Sequence, residues 1–130
     1  NFFHLALNGQ PLPITGVGDE ERDFNFVENT VQGIIKAMFV NTSPGDIFNI
    51  GSGKGTSIIQ LANMINEIAG SQAGVKFVGR RSWDCVKKRL AIIDKARSII
   101  GYEPGVTLSN GLNMTYVWMK NLPNFKENKE

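Results

Sequence analysis

The sequence predicts an α/β fold made of short strands and about four to five helices. Strand-like and helix-like segments alternate along the chain, and the apolar residues of the helical segments recur at helical spacing. The composition agrees, because 130 residues that are 42% hydrophobic and 20% charged are enough for one domain with its own core. The alternation is also compatible with an α+β arrangement, and in either case it favours some parallel strand pairing.

The first half of the chain contains a short helix, two strands and a longer helix. We expect a helix at residues 2–7, which includes the single histidine, His4, and strands at 12–15 and 24–27. An amphipathic helix follows, because apolar residues recur at i, i+3, i+4, i+7 and i+8. These residues are Val31, Ile34, Ile35, Met38 and Phe39.

The second half alternates in the same way. A strand is expected at 47–50, followed by a helix that begins with the capping-box pair Ser57 and Gln60 and ends at Gly70. The remaining predicted elements are a strand at 75–78, a short helix capped by Asp94 and ending at Gly101, and a helix at about 109–121.

The glycine-rich segment at 48–57, FNIGSGKGTS, leads from a predicted strand into a capped helix. Glycine amides before a helix can bind phosphate. The spacing matches neither the Walker A loop nor the dinucleotide fingerprint, since Phe48, Gly55 and Thr56 occupy positions where those motifs need other residues. A structural glycine turn is therefore favoured over direct phosphate binding.

Tyr116 and Lys120 have the Y-x-x-x-K spacing of a tyrosine base and its lysine, and at i, i+4 they are neighbours on a helix. A core aromatic residue beside a surface lysine explains the pair more simply, as the motif is short. A lone His4 excludes a His-pair metal site, and a lone Cys85 excludes an internal disulfide and a Cys-rich zinc site.

The net charge of +2 hides two oppositely charged segments. Residues 19–28 contain five acidic residues and one arginine, whereas residues 76–97 contain eight basic and two acidic residues. A segment this basic suits anionic partners, which are phosphates, a nucleic acid, or the acidic segment of the same chain.

No apolar run approaches the length of a membrane span, and the first residues lack the basic region of a signal peptide. The chain also has no initiator methionine, from which we expect it to derive from a longer protein. The polar residues 123–130 are expected to form a disordered tail.

Five segments, in matching order and spacing from about residue 8 to 120, resemble the C-terminal part of the extended short-chain dehydrogenase/reductases, the NAD-dependent nucleotide-sugar epimerases and dehydratases. The similar family motifs are G-x-P-L-x-I-Y-G, G-x-x-x-R-D-F-x-Y-V-x-D, F-N-I-G-S-G, R-R-x-x-D and D-x-x-K-A-x-x-L-G-W-x-P. The corresponding segments of this chain are NGQPLPITG at 8–16, GDEERDFNFVEN at 18–29, FNIGSG at 48–53, RRSWD at 80–84 and DKARSIIGYEP at 94–104.

The resemblance implies an α/β, Rossmann-like enzyme of which residues 1–122 form the substrate-binding portion. It implies that Arg22 and Arg81 bind the diphosphate of a nucleotide sugar, a role that suits the planar guanidinium. Asp84 would accept a hydrogen bond from a ribose hydroxyl, and the backbone at Pro13 and Thr15 would bind the nucleotide base. Phe24, in the same motif as Arg22, completes the predicted substrate-binding set.

The resemblance also implies that the NAD-binding domain and the catalytic tyrosine, lysine and Ser/Thr precede this chain. We therefore expect no catalytic, cofactor-binding or metal-binding residue in it, and no turnover from residues 1–130 alone. The parent protein is expected to be a cytoplasmic, homodimeric enzyme of the UDP-glucose 4-epimerase type that uses NAD and binds neither nucleic acid nor membrane.

Three alternatives remain open from the sequence. The parent can be a nucleotide-sugar 4,6-dehydratase or a decarboxylase of the same family. In a different class, residues 76–97 can form a basic nucleic-acid-binding module, although Phe77 and Trp83 are their only aromatic residues. A cut chain can also retain no binding at all. Without the cofactor domain, the helix at 31–39 and the strand at 47–50 should expose apolar surface and favour self-association.

Overall fold

The computed structural model describes residues 1–41, 45–80 and 86–122. Its helices are α1 (Phe2–Leu7), α2 (Val27–Phe39), α3 (Ile58–Ala69), α4 (Asp94–Ile100) and α5 (Leu108–Lys120). Its strands are β1 (Leu12–Thr15), β2 (Glu21–Arg22), β3 (Thr56–Ser57), β4 (Val75–Val78) and β5 (Lys88–Arg89).

One core lies between α1, β1 and α3. The inward side chains of β1, Leu12 and Ile14, are fully buried, as alternation along a strand requires, and they pack against Phe3 of α1 and Ile65 of α3. β1 pairs in parallel with β4, and α3 provides the crossover within this half of the molecule. The predicted parallel pairing is confirmed.

A three-stranded sheet, in the order β3-β2-β5, lies beside this core. Glu21 of β2 pairs antiparallel with Ser57 and parallel with Lys88. β2 therefore brings the acidic segment against the basic segment of the same chain.

A second, smaller core forms around α4. Its buried residues are Ile93, Ala96, Ile100 and Tyr102. Tyr102 is fully buried, and its hydroxyl donates a hydrogen bond to the carbonyl of Gly51 at 2.8 Å. This contact connects the second core to the glycine-rich segment.

The five helices, and the strands at 12–15 and 75–78, are confirmed; the helix ends differ by at most one residue, except that α2 begins at Val27, four residues before the predicted apolar stripe. The capping box is present in full: the Ser57 hydroxyl accepts from the Gln60 amide, and the Gln60 side chain accepts from the Ser57 amide. Asp94 lies in the first turn of α4 rather than capping it, since the N-cap residue is Ile93.

The predicted strand at 24–27 is wrong. The chain enters α2 there because polar side chains bond locally: Asn25 donates to Thr30, and buried Asn29 donates to Asn25 and to the Val106 carbonyl. The short strand lies just before, at β2.

The predicted strand at 47–50 is also wrong. Neither sheet of the described chain includes these residues, and Ile47 is 80% exposed. A strand forms by pairing with a neighbour, which apolar character alone does not supply.

Helix α2 exposes the apolar face that the sequence pattern identifies. Its buried residues are Asn29 and Gly33, whereas Met38 is 70% and Phe39 82% exposed. Gly33 permits the approach of residue 50, because a Cβ there would lie 2.8 Å from the Ile50 side chain. The expectation of exposed apolar surface is confirmed for this helix. Within the described segments, no helix has both the length and the apolar character needed to cross a membrane.

Candidate functional site

A polar pocket of about 280 Å³ lies between α1, β1, β2 and the start of α3. Three of the predicted substrate-binding residues, Pro13, Thr15 and Arg22, line it. The fold therefore places residues from two separate sequence motifs in one cavity. The complete lining consists of Phe2, Pro13, Thr15, Glu20, Arg22 and Ile58.

Strand β1 presents backbone polar groups to this pocket. On its paired side, the amides of Leu12 and Gly16 donate to the carbonyls of Gly74 and Val78 on the β4 side. Because backbone groups alternate in direction along a strand, Pro13 and Thr15 turn theirs to the opposite edge. That edge has no strand partner within residues 1–41, 45–80 and 86–122. The amide of Thr15 and the carbonyls of both residues therefore point away from β4.

Arg22 is half-buried on β2. Its Nη1 donates to the backbone carbonyl of Glu21 at 2.9 Å and to that of Lys87 at 3.4 Å. These bonds orient the guanidinium, whose planar shape and parallel N–H donors suit the oxygens of a phosphate.

Asp23, which sequence reasoning missed, fixes the segment that carries Arg22. Its carboxylate accepts hydrogen bonds from the amides of Ser52 at 2.8 Å, Gly53 at 2.9 Å and Ala91 at 3.3 Å, and from the Ser52 hydroxyl. Glycine is required at position 51, since a Cβ there would lie 2.6 Å from Asp23 Oδ2.

The glycine-rich segment thus binds an anion that belongs to the protein. The Ser52 and Gly53 amides, which a phosphate loop would offer to a ligand, are bonded to Asp23. The Ser57 hydroxyl caps the first turn of α3. The structural interpretation of this glycine turn therefore agrees with the observed contacts.

Glu20 is a second residue that the sequence analysis did not select. Its side chain is only 6% exposed and forms an ion pair with Arg80, with 2.9 Å between Oε1 and Nη2. The adjacent acids Glu20 and Glu21 were the available signal, but sequence alone does not show which of the two side chains is buried.

Phe24 does not line this pocket. It lines a neighbouring, largely apolar cavity of about 320 Å³ between α1, α3 and α5, and only Phe2 is shared by the two cavities. The other two predicted residues, Arg81 and Asp84, lie outside the described residues, as does the predicted tail at 123–130.

Tyr116 and Lys120 form a local stack. The Lys120 Nζ lies 5.4 Å from the centre of the Tyr116 ring, which packs against Phe3 in the first core. Residues 86–122 and the two earlier described ranges contain no group of three or more His, Cys, Asp or Glu side chains that could hold a metal ion.

Four cations of the basic segment form ion pairs with acidic residues of the same chain. The pairs are Arg80–Glu20, Lys88–Glu21, Lys95–Asp46 and Arg97 with both Asp94 and Glu103. The Glu103 carboxylate, which accepts a hydrogen bond from Arg97, raises the pKa of that guanidinium. These pairs reduce the positive charge that the segment offers to a nucleic acid.

Comparison with models of known protein families gave no match. Among characterised proteins, the chain is 34% identical over 115 residues to UDP-glucuronic acid decarboxylase 1 of Xenopus tropicalis, a match that covers 88% of this chain and 27% of that protein.

Two solved structures resemble the fold closely. An epimerase of Methanothermobacter thermautotrophicus superimposes with a TM-score of 0.89 at 43% identity, over 92% of this chain and 36% of that one. UDP-glucuronic acid 4-epimerase of Bacillus cereus, in complex with UDP-glucuronic acid and NAD, superimposes with a TM-score of 0.83 at 30% identity, over 92% and 38%. The chain thus spans between a quarter and two fifths of the length of these three proteins.

Proposed function

The chain belongs to the extended short-chain dehydrogenase/reductase family, as do its UDP-sugar epimerase and decarboxylase relatives, and we propose that it is the nucleotide-sugar-binding part of such an enzyme. The observation that carries this proposal is the Arg22 pocket. This pocket contains an oriented guanidinium, which suits a diphosphate, and the backbone edge of β1 that faces away from β4, which suits a nucleotide base.

Each part of the pocket has a task in this proposal. The Arg22 guanidinium binds the diphosphate oxygens through parallel N–H donors. The Thr15 amide and the Pro13 and Thr15 carbonyls bind the edge of the base, which presents both acceptors and donors. Uracil suits this edge, because its N3–H lies between two carbonyl groups.

The pocket acts through binding rather than through chemistry. Contacts to the diphosphate and base hold the sugar in a fixed position relative to groups that react with it. Binding energy from these remote parts of the substrate then lowers the barrier at the sugar carbon.

The glycine-rich segment does not offer the Ser52 and Gly53 amides to NAD. The glycine-rich segment, which resembles a dinucleotide loop in composition, has its amides bonded to Asp23. We propose that NAD, which would accept and return a hydride, binds to a part of the protein outside these 130 residues. Arg81 and Asp84 remain proposed ligand contacts, and the homodimeric state and cytoplasmic location of the parent remain predictions.

The parent reaction is proposed to be epimerisation. Decarboxylation is the second candidate, since a relative that matches 88% of the chain is a UDP-glucuronic acid decarboxylase. Dehydration is a third reaction that the same family carries out. The described residues bind and position substrate in all three cases, so they do not distinguish among them.

The test is calorimetric titration of the 130-residue chain with UDP. Arg22→Ala should weaken binding by about tenfold or more, because a charge-assisted hydrogen bond is lost. Arg97→Ala is the matched control: it also removes an arginine, but one on α4 that pairs with Asp94 and Glu103 and does not line the pocket, and it should leave the affinity unchanged.

Two outcomes would contradict the proposal: no binding of UDP, or equal loss in both variants. Binding of single-stranded RNA that falls steeply with salt, and that UDP does not compete, would instead favour the nucleic-acid module.

The chain by itself is predicted to have no turnover. Incubation with NAD and UDP-glucose or UDP-glucuronic acid, followed by chromatography of the sugar products, should show neither epimer nor decarboxylated sugar. Clear product formation would contradict the assignment of the chain to substrate binding alone.

A further inference from the structure

We propose that Glu20 accepts a hydrogen bond from the nucleoside of the bound nucleotide and so determines which end of the ligand occupies its side of the pocket. This inference rests on the function proposed above, which gives Glu20 no task. Glu20 is the only acidic residue among the six that line the described pocket, and Arg22 is the only basic one.

Chemistry restricts what Glu20 can contact. A carboxylate only accepts hydrogen bonds, and so do the phosphate oxygens of a diphosphate. Two anionic acceptors repel each other, so Glu20 cannot be a diphosphate contact. It needs a donor, which a nucleotide provides as an N–H of the base or as a ribose hydroxyl.

The position of Glu20 places it on the β1 side of the pocket. A Cβ built on Gly16, the residue after Thr15, would lie 3.6 Å from Glu20 Oε1. Thr15 is also the residue whose backbone is proposed to bind the base. The carboxylate and the backbone edge therefore serve the same end of the ligand.

The ion pair with Arg80 supports this position. Thr15 pairs with Val78 at the carboxyl ends of two parallel strands, and Arg80 follows Val78 by two residues. Arg80 therefore reaches Glu20 from the end of β4, which offsets the carboxylate charge near an anionic ligand. The pocket is left with a cationic side at Arg22 and an acceptor side at Glu20.

The experiment compares Glu20→Gln with the unchanged chain in titrations with UDP and with pyrophosphate. Glu20→Gln should weaken UDP binding about tenfold, because a charged acceptor becomes neutral, and should leave pyrophosphate binding unchanged. Glu21→Gln is the matched control: it removes the same charge from a half-exposed neighbour that pairs with Lys88 outside the pocket, and should change neither affinity.

One UDP analogue tests the donor and does not depend on any variant. Because the uracil N3–H is assigned above to the carbonyls of β1, the donor that remains for Glu20 is a ribose hydroxyl, and the unchanged chain should bind 2′,3′-dideoxy-UDP more weakly than UDP. Equal affinity for these two nucleotides would overturn the inference, even if Glu20→Gln does not fold.

The remaining outcomes separate the two proposals. Equal weakening of UDP and pyrophosphate by Glu20→Gln, or no effect on either, overturns the role of Glu20 while nucleotide binding stands. Failure of the unchanged chain to bind UDP overturns the proposed function and this inference with it.

Discussion

The Asp23 carboxylate joins three segments that are distant in the sequence. It accepts amide hydrogens from residues 52 and 53, in the glycine turn, and from residue 91, after β5. Several N–H donors that converge on one anion form a nest, and such nests bind carboxylates and phosphates alike. Because Asp23 directly follows Arg22, this nest also sets the position of the guanidinium.

Asp23→Ala should unfold at lower denaturant concentration, with a loss of about 1–3 kcal/mol, because the part-buried amides of Ser52 and Ala91 lose their acceptor. Sulfate or formate should recover part of this loss by entering the vacated nest, an effect that is measured by urea unfolding with and without the anion. Asp19→Ala, which removes an acid from the same segment, should show no anion-specific recovery. Equal stabilisation of both variants would contradict the nest.

Tyr102 is the second residue whose contacts decide local structure. Burial raises the pKa of its hydroxyl above its ordinary value of 10.0, since the charged phenolate is poorly solvated there. The folded chain thus holds this proton more tightly than the unfolded chain. The corresponding stability is complete below about pH 10 and falls as the pH rises above it.

Tyr102→Phe should destabilise the chain at pH 8 by about 1–3 kcal/mol, because the buried Gly51 carbonyl loses its donor. The variant should lose less stability than the unchanged chain when the pH is raised from 9 to 11. Urea unfolding at both pH values measures this difference. Identical pH dependence of the two chains would exclude Tyr102 as the titrating group.

At the scale of elements, helices α2 and α3 begin in different ways. Helix α3 has the complete capping box of Ser57 and Gln60 and ends in the left-handed residue Gly70, with φ 66°. Helix α2 has no side-chain cap at Phe26, and its start is instead fixed by Asn29, whose side chain exchanges two hydrogen bonds with the Val106 backbone. A local motif starts one helix, and a tertiary contact starts the other.

Ser57→Ala should therefore cost about 1 kcal/mol in the free energy of unfolding, since the Gln60 amide loses its acceptor. Ser109→Ala, a serine within α5 that is not its cap, should cost little. Urea unfolding compares the two variants, and equal losses would contradict a specific capping contribution.

At the scale of the whole molecule, several large apolar side chains lie outside the two cores and are exposed. The outer face of α2, together with Ile47, exposes several of them, beside a cavity of about 450 Å³ lined by residues of α2 and of the 46–50 segment. Contiguous exposed apolar surface of this kind marks an interaction site. We expect this face to pack against the remainder of the proposed parent enzyme.

The isolated chain should consequently self-associate as its concentration rises. The double substitution Met38→Lys/Phe39→Lys should shift it toward the monomer with a change in unfolding free energy below about 0.5 kcal/mol, because both side chains are exposed. Sedimentation measures the association. Val17→Lys, at another exposed apolar residue, is the control, and an equal shift in that variant would contradict a role for α2.

Local signals were enough to predict most elements. The i, i+3, i+4 spacing of α2 and the capping box of α3 each lie within a dozen residues, and they predict both helices, although α2 begins at Val27, before the predicted stripe. The strand predicted at 47–50 failed because pairing depends on a neighbouring strand. The one at 24–27 failed because the side chains of Asn25 and Asn29 bond to residues of α2 and beyond.

The sequence by itself determined the α/β class, the positions of the helices, the family and the candidate Arg22, since each depends on short motifs or on their order along the chain. Only the tertiary structure decided that Thr15 and Arg22 share a pocket, that Glu20 turns into it, and that Asp23 occupies the glycine turn. The physical reason is that burial and ion pairing depend on which distant segments come into contact. Residues 20–23 contact three such segments: β1, the end of β4 and the turn at 51–53.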